Sequence, residues 1–79
     1  MTPDELREAR GRLEYTQHYL AAVVGVDARA VRRWEARDRT IPTSVAVLIA
    51  MIEALPAARS LAEKLADERH RAKEMEQGG

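Results

Sequence analysis

Apolar positions along this chain recur at the three- and four-residue spacing of amphipathic helices, and helix start and stop signals separate one stretch from the next. Leu6, Ala9 and Leu13, with Arg10 on the same stripe, follow the run Thr2-Pro3-Asp4-Glu5. There Thr2 reads as an N-cap, Pro3 as the first helical residue and Glu5 as the partner that closes a capping box. The pattern predicts a first helix from about Pro3 to Leu13. Gly11 within it costs up to about 1 kcal/mol relative to alanine, so the helix end is loosely defined. Thr16 is the expected N-cap of a second helix, whose apolar contacts are Tyr19, Leu20, Val23 and Val24 and which Gly25 ends.

The third helix, capped by Asp27 and running to Glu35, has two unlike faces. At about 100° per residue, Val31, Trp34 and Glu35 fall on one side, while Arg29, Arg33 and Ala36 centre on the other. One side suits a core and the other a polyanion. A short helix, a glycine turn and a basic second helix form a helix-turn-helix arrangement, whose second helix enters the DNA major groove. The planar fork of arginine bonds guanine O6 and N7 together, so Arg29 and Arg33 are the expected readers of base edges. Arg32 is placed on a phosphate, and Trp34 in the core.

Arg37-Asp38-Arg39-Thr40 reads as a polar turn, with Arg37, Arg39 and Thr40 as phosphate contacts. Thr43 or Ser44 then caps a fourth helix, Val45 to Leu55, in which Val45, Leu48, Ile49 and Ile52 face helices one to three and Met51 and Leu55 stay exposed. Pro56 separates this from a last helix, Ala57 to about Glu76, with Gly78-Gly79 as a frayed end. Leu61, Ala62, Leu65, Ala58 and Ala72 give it a narrow apolar stripe that cannot hold a helix alone in water. Leu61 and Leu65 therefore dock on the four-helix core or on a second copy, and with Leu55 they are the expected dimerisation residues. The chain divides into residues 1–55 and a C-terminal helical segment, 56–79.

Composition narrows the choice of partner. The net charge is zero, but residues 28–42 hold five arginines against two acids, whereas residues 1–27 hold three against five. The basic excess thus lies on the third helix and the turn after it. With 79 residues and 46% hydrophobic content, one small core is expected. The chain has no cysteine, hence no disulfide, thiolate metal site or cysteine nucleophile. The longest apolar run, Val45 to Ile52, is too short to span a bilayer, and a cytoplasmic protein without a membrane partner is expected. His18 has no companion ligands at metal spacing, and no cofactor is expected.

Thr16-Gln17, Leu20-Ala21, Gly25-Val26-Asp27, Val31 and Trp34-Glu35 together resemble the signature of the XRE family, that of Cro and the lambdoid phage repressors. The resemblance covers roughly Leu6 to Leu55. It implies an all-α fold, a compact four- to five-helix lambda-repressor-like DNA-binding domain with helices two and three as the helix-turn-helix. It also implies that Gln17 contacts a phosphate and that Ala28 occupies a base-reading position, where its methyl touches at most a thymine methyl. Arg10, a charge on an apolar stripe, is either solvated at the stripe's edge or paired with the inward-facing Glu35. The resemblance implies the pair. Arg37 stands where many relatives carry glycine.

One recognition helix reads only about 4 to 5 base pairs, so a twofold dimer on an inverted-repeat operator is the sensible form of such a protein. A dimeric, sequence-specific regulator of double-stranded DNA, acting as a repressor of a small phage or bacterial operon, is the first functional reading. The second is an antitoxin-like interaction module whose last helix binds a partner protein. Catalysis is excluded: there is no glycine-rich phosphate loop, and Ser44 and Ser60 lack a patterned His and Asp.

Overall fold

The computed structural model describes the backbone of residues 1–78 and the side chains of residues 1–69. Its helices are α1 (Pro3–Leu13), α2 (Gln17–Val24), α3 (Ala28–Glu35), α4 (Thr43–Ala54) and α5 (Pro56–Gly78). Among the described residues there is no strand. The all-α fold follows from local signals that agree with one another. At the head of α1 the Glu5 amide donates to Thr2 Oγ1 at 3.1 Å and the Thr2 amide to Glu5 Oε1 at 2.7 Å. The Thr2 amide, and after it the Thr2 hydroxyl, hold the Glu5 carboxyl below the ordinary glutamate range. Thr16 Oγ1 accepts from the Tyr19 amide at 3.0 Å and Asp27 Oδ1 from the Arg29 amide at 2.9 Å, which starts α2 and α3. Gly25 closes α2 at φ +78°, a left-handed conformation that a Cβ would strain.

The fourth helix departs from expectation at both ends. Neither Thr43 nor Ser44 caps it: Pro42 holds the N-cap position without a side-chain bond, and the helix starts at Thr43. The Pro42 carbonyl accepts from the Val45 and Ala46 amides at 3.0 and 3.2 Å, so the ring's fixed φ sets up the first turn in place of a side-chain cap. Leu55 lies outside the helix, in extended backbone, because the proline that follows disfavours the α conformation. Pro56 is itself the first residue of α5, where its missing N–H costs nothing. The last helix runs to Gly78, past the expected end near Glu76, so Gly78 is not frayed; the expectations for the Ala72 side chain and for Gly79 lie outside the described residues.

Leu6, Leu20, Val31, Ile49 and Ile52, drawn from α1 to α4, are the largest fully buried side chains. α3 rests on α1 and α2, and α5 on α2 and α4. The chain bends by 118° between α4 and α5, which lays α5 back across the bundle. α5 enters the core through Ala62 and Ala66, not through Leu61 and Leu65, which are 57% and 42% exposed. Small side chains allow its backbone to approach closely, and polar bonds then fix it. Buried Tyr15 donates its hydroxyl to Glu63 Oε2 at 2.5 Å, and Tyr19 donates to Asp67 Oδ1 at 3.3 Å. Arg59 lies 5.4 Å from the Tyr15 ring centroid, donates to Glu63 at 2.9 Å and reaches the Leu13 carbonyl at 3.0 Å. Arg69 donates to the Ala22 carbonyl. Burial and the facing Glu63 carboxylate push the Tyr15 phenol up to about 12. Among the described residues, no single helix is long and apolar enough to cross a membrane.

The turn after α3 passes through Arg37 at φ +66°, a left-handed conformation that glycine adopts without strain. Its guanidinium meets Asp4 at 3.2 Å, with both side chains exposed. Replacing Arg37 with glycine removes a left-handed penalty of about 1 kcal/mol and loses a surface pair worth less. Urea denaturation of Arg37→Gly is therefore expected to show stability equal to or slightly above the parent chain. Arg37→Val is expected to lose about 1 to 2 kcal/mol, because a β-branched residue fits positive φ worst. A glycine variant weaker than the valine variant would contradict this account of the turn.

Candidate nucleic-acid interface

The geometry of α3 separates its two faces. Val31, Trp34 and Glu35 are buried, while Arg29, Arg32 and Arg33 are exposed. Among the described residues, the guanidinium groups of Arg32, Arg33 and Arg39 make no hydrogen bond or ion pair, so their donors face water. Arg29 and Arg33 from the helix and Arg39 and Thr40 from the following turn line one shallow groove, together with Ala30 and Trp34. Three arginines line this concave strip, with Asp27 as its one acidic residue, and make it suited to phosphate and base edges.

The other sequence-nominated positions are not all in that groove. Arg37 lies round the corner, in a second shallow depression with Met1, Thr2, Arg39 and Thr40, where Asp4 engages it. Arg39 and Thr40 border both depressions. Ala28 is half-buried and lines a separate cleft with Ala22, Gly25 and Ala66. Leu55, between α4 and α5, and Leu61 and Leu65, on α5, are exposed.

Behind the arginine face, the structure brings Arg10, Gln17 and Glu35 together. Glu35 is 6% exposed and ends α3. Arg10 grips it with both prongs, Nε to Oε2 at 2.9 Å and Nη2 to Oε1 at 3.0 Å, while its Nη1 donates to the Tyr15 carbonyl at 3.2 Å. Gln17 Nε2 donates to the same carboxylate at 3.2 Å. Arg7 adds a contact of 3.5 Å to the Glu35 carboxylate and another to its main-chain carbonyl. Burial pushes the Glu35 carboxyl up, but the bonds from Arg10 and Gln17 and the adjacent positive charge outweigh it and hold the group below the ordinary glutamate range. The residue at the N-terminus of α2 is thus tied through one carboxylate to α1 and to the end of α3.

Sequence reasoning passed over Arg7 and did not anticipate that Gln17 bonds Glu35. A signal for Arg7 existed, since it lies three residues before Arg10 and shares its side of α1. The family model for the helix-turn-helix matches residues 6–56, from α1 to the first residue of α5. No curated protein and no solved structure matches the chain.

Removing either partner of the buried pair strands the other charge. Arg10→Met and Glu35→Gln are each expected to cost about 3 to 5 kcal/mol in denaturant unfolding, and the double variant Arg10→Met/Glu35→Gln less than their sum. Two single changes below about 0.5 kcal/mol would leave the pair no structural role. The pH dependence has a definite sign. The folded-state value of Glu35 lies below that of an ordinary glutamate, so its contribution is complete above the ordinary value and is lost as pH falls through the lower folded value. The stability gap between the parent chain and Glu35→Gln should therefore be constant from about pH 7 to 5 and shrink toward pH 3. A gap that widened on acidification would reverse this reading.

Proposed function

The chain belongs to the XRE family of helix-turn-helix proteins, whose members are DNA-binding regulators, and from that premise we propose that it binds a specific double-stranded operator as a dimer and represses a small phage or bacterial operon. The observation that carries this reading is the division of α3. Val31 and Trp34 are sunk in the core while Arg29 and Arg33 project, with Arg39 and Thr40, around one groove. Burial of one face fixes the orientation of the other, which a base-reading helix requires.

On this reading α3 lies in the major groove, with Arg29 and Arg33 bidentate to guanines and Ala28 at the edge of the base contact. Arg32, Arg39 and Thr40 bond phosphates, and Arg37 joins them on exchanging its Asp4 contact for the stronger field of the backbone. Gln17 presents the N–H groups at the start of α2 to a further phosphate, with its amide held by Glu35. Two copies related by a twofold axis read half-sites about 34 Å apart. A chain with no net charge gains little from non-specific attraction, so it depends on this focused contact to hold a site.

Selection of bound sequences from a random duplex pool, at about 150 mM salt, tests the proposal. The expected product is an inverted repeat with half-site centres about 10 base pairs apart and guanines in each half-site. Recovery of an unenriched pool would remove specific readout, and enrichment of a single unrepeated site would remove the dimeric form.

A further inference from the structure

Between α5 and the turn that joins α2 to α3 lies a cleft of about 290 Å³, at the lower edge of the size range of small-molecule sites. Its apolar lining comes from three places: Ala21 and Ala22 of α2, Val26 and Ala28 at the turn and the start of α3, and Ala66 of α5. Ala21 and Ala66 are buried and form its floor. Four of these five side chains end at Cβ, which leaves space between the backbones that no side chain fills. α5 is braced on both sides of Ala66, by the Tyr15–Glu63 bond before it and the Arg69–Ala22 bond after it, so the space does not close by collapse.

The rim specifies what fits. Arg69 is exposed, yet its guanidinium is held in place by donating one N–H to the Ala22 carbonyl. A guanidinium has five donors in a planar fork, so others remain for a carboxylate, whose geometry the fork matches. His18 stands one turn before Ala22 on α2 and adds a ring nitrogen to the same rim. Asp27, the acidic residue of the lining, already accepts from the Arg29 amide at the head of α3. A fixed cation beside an apolar floor selects a molecule with a compact apolar body and one negative end.

We propose that this cleft binds a small aromatic carboxylate, with its ring against the alanine and valine side chains and its carboxylate on Arg69. Gly25, which ends α2, and Ala28, which begins α3, both border the cleft, so a bound molecule touches α5 and the joint of the helix-turn-helix together. The inference goes beyond the DNA-reading proposal, and its test uses no DNA. Failure to find an operator leaves it standing, and failure of the ligand to bind leaves the arginine face of α3 standing.

Titration of the full chain with benzoate, followed by NMR of its alanine methyl groups, gives the test. Saturable shifts are expected at Ala21, Ala22, Ala28 and Ala66 with one dissociation constant, on the order of 1 mM for so small a ligand. No shift is expected at Ala30, which lines the arginine groove of α3. Benzamide keeps the ring without the charge and is expected to bind about tenfold more weakly. Arg69→Gln, a change at an exposed position, is expected to fold, to lose about tenfold in benzoate affinity and to remove the difference between benzoate and benzamide. Ala22→Leu fills the cleft and is expected to abolish the remaining shifts. Shifts that do not saturate by about 20 mM, shifts centred on Ala30, equal affinity for benzamide, or unchanged benzoate affinity in Arg69→Gln would each overturn the proposal.

Discussion

A carboxylate held almost out of water at the end of α3 is the constraint on which the rest of this structure depends. Glu35 cannot stay charged in the core without compensation, and the compensation comes from Arg10 of α1 and Gln17 of α2. Those bonds converge on one point of the fold and fix where α3 ends relative to both neighbours. Val31 and Trp34 settle which side of α3 faces inward, and Glu35 settles how far along its axis it sits. An arginine pattern that reads base edges needs both to be set, since guanidinium groups displaced by an ångström lose their alignment.

The same economy explains how a chain without net charge presents a basic surface. Arg10, Arg12 and Arg59 are engaged in internal pairs, whereas Arg32, Arg33 and Arg39 are left to solvent. Among the described residues, α5 contributes no large side chain to the core. It lies close because Ala62 and Ala66 are small, and the Tyr15–Glu63 and Tyr19–Asp67 bonds hold it there. Its larger apolar residues are thereby released for the outer surface.

The start and stop of each early helix were legible from neighbouring residues: Thr2 with Glu5, Thr16, Gly25 and Asp27 act within three or four positions of themselves. The opposed faces of α3 were legible for the same reason. What the sequence concealed was long-range or small. Tyr15 lies in the turn between α1 and α2, outside any periodic stripe, and its partner is 48 positions away. Ala66 has too little side chain to stand out from a charged helix, yet it is 1% exposed. The bond from Gln17 to Glu35 depends on two helix ends meeting, which no local pattern encodes. Pro42 replaced the expected threonine or serine cap because a fixed backbone angle did the work of a side chain.

Whether the exposed arginines of α3 divide into readers and anchors is tested by the operator affinity of Arg33→Ala and Arg32→Ala, on matched and base-substituted duplexes, across a salt series. Arg33→Ala is expected to lose about 1 to 3 kcal/mol on the matched operator and no longer to distinguish one base pair. Arg32→Ala is expected to weaken every duplex alike and to lower the salt slope by about 1. Unchanged affinity and unchanged discrimination in Arg33→Ala would contradict this division.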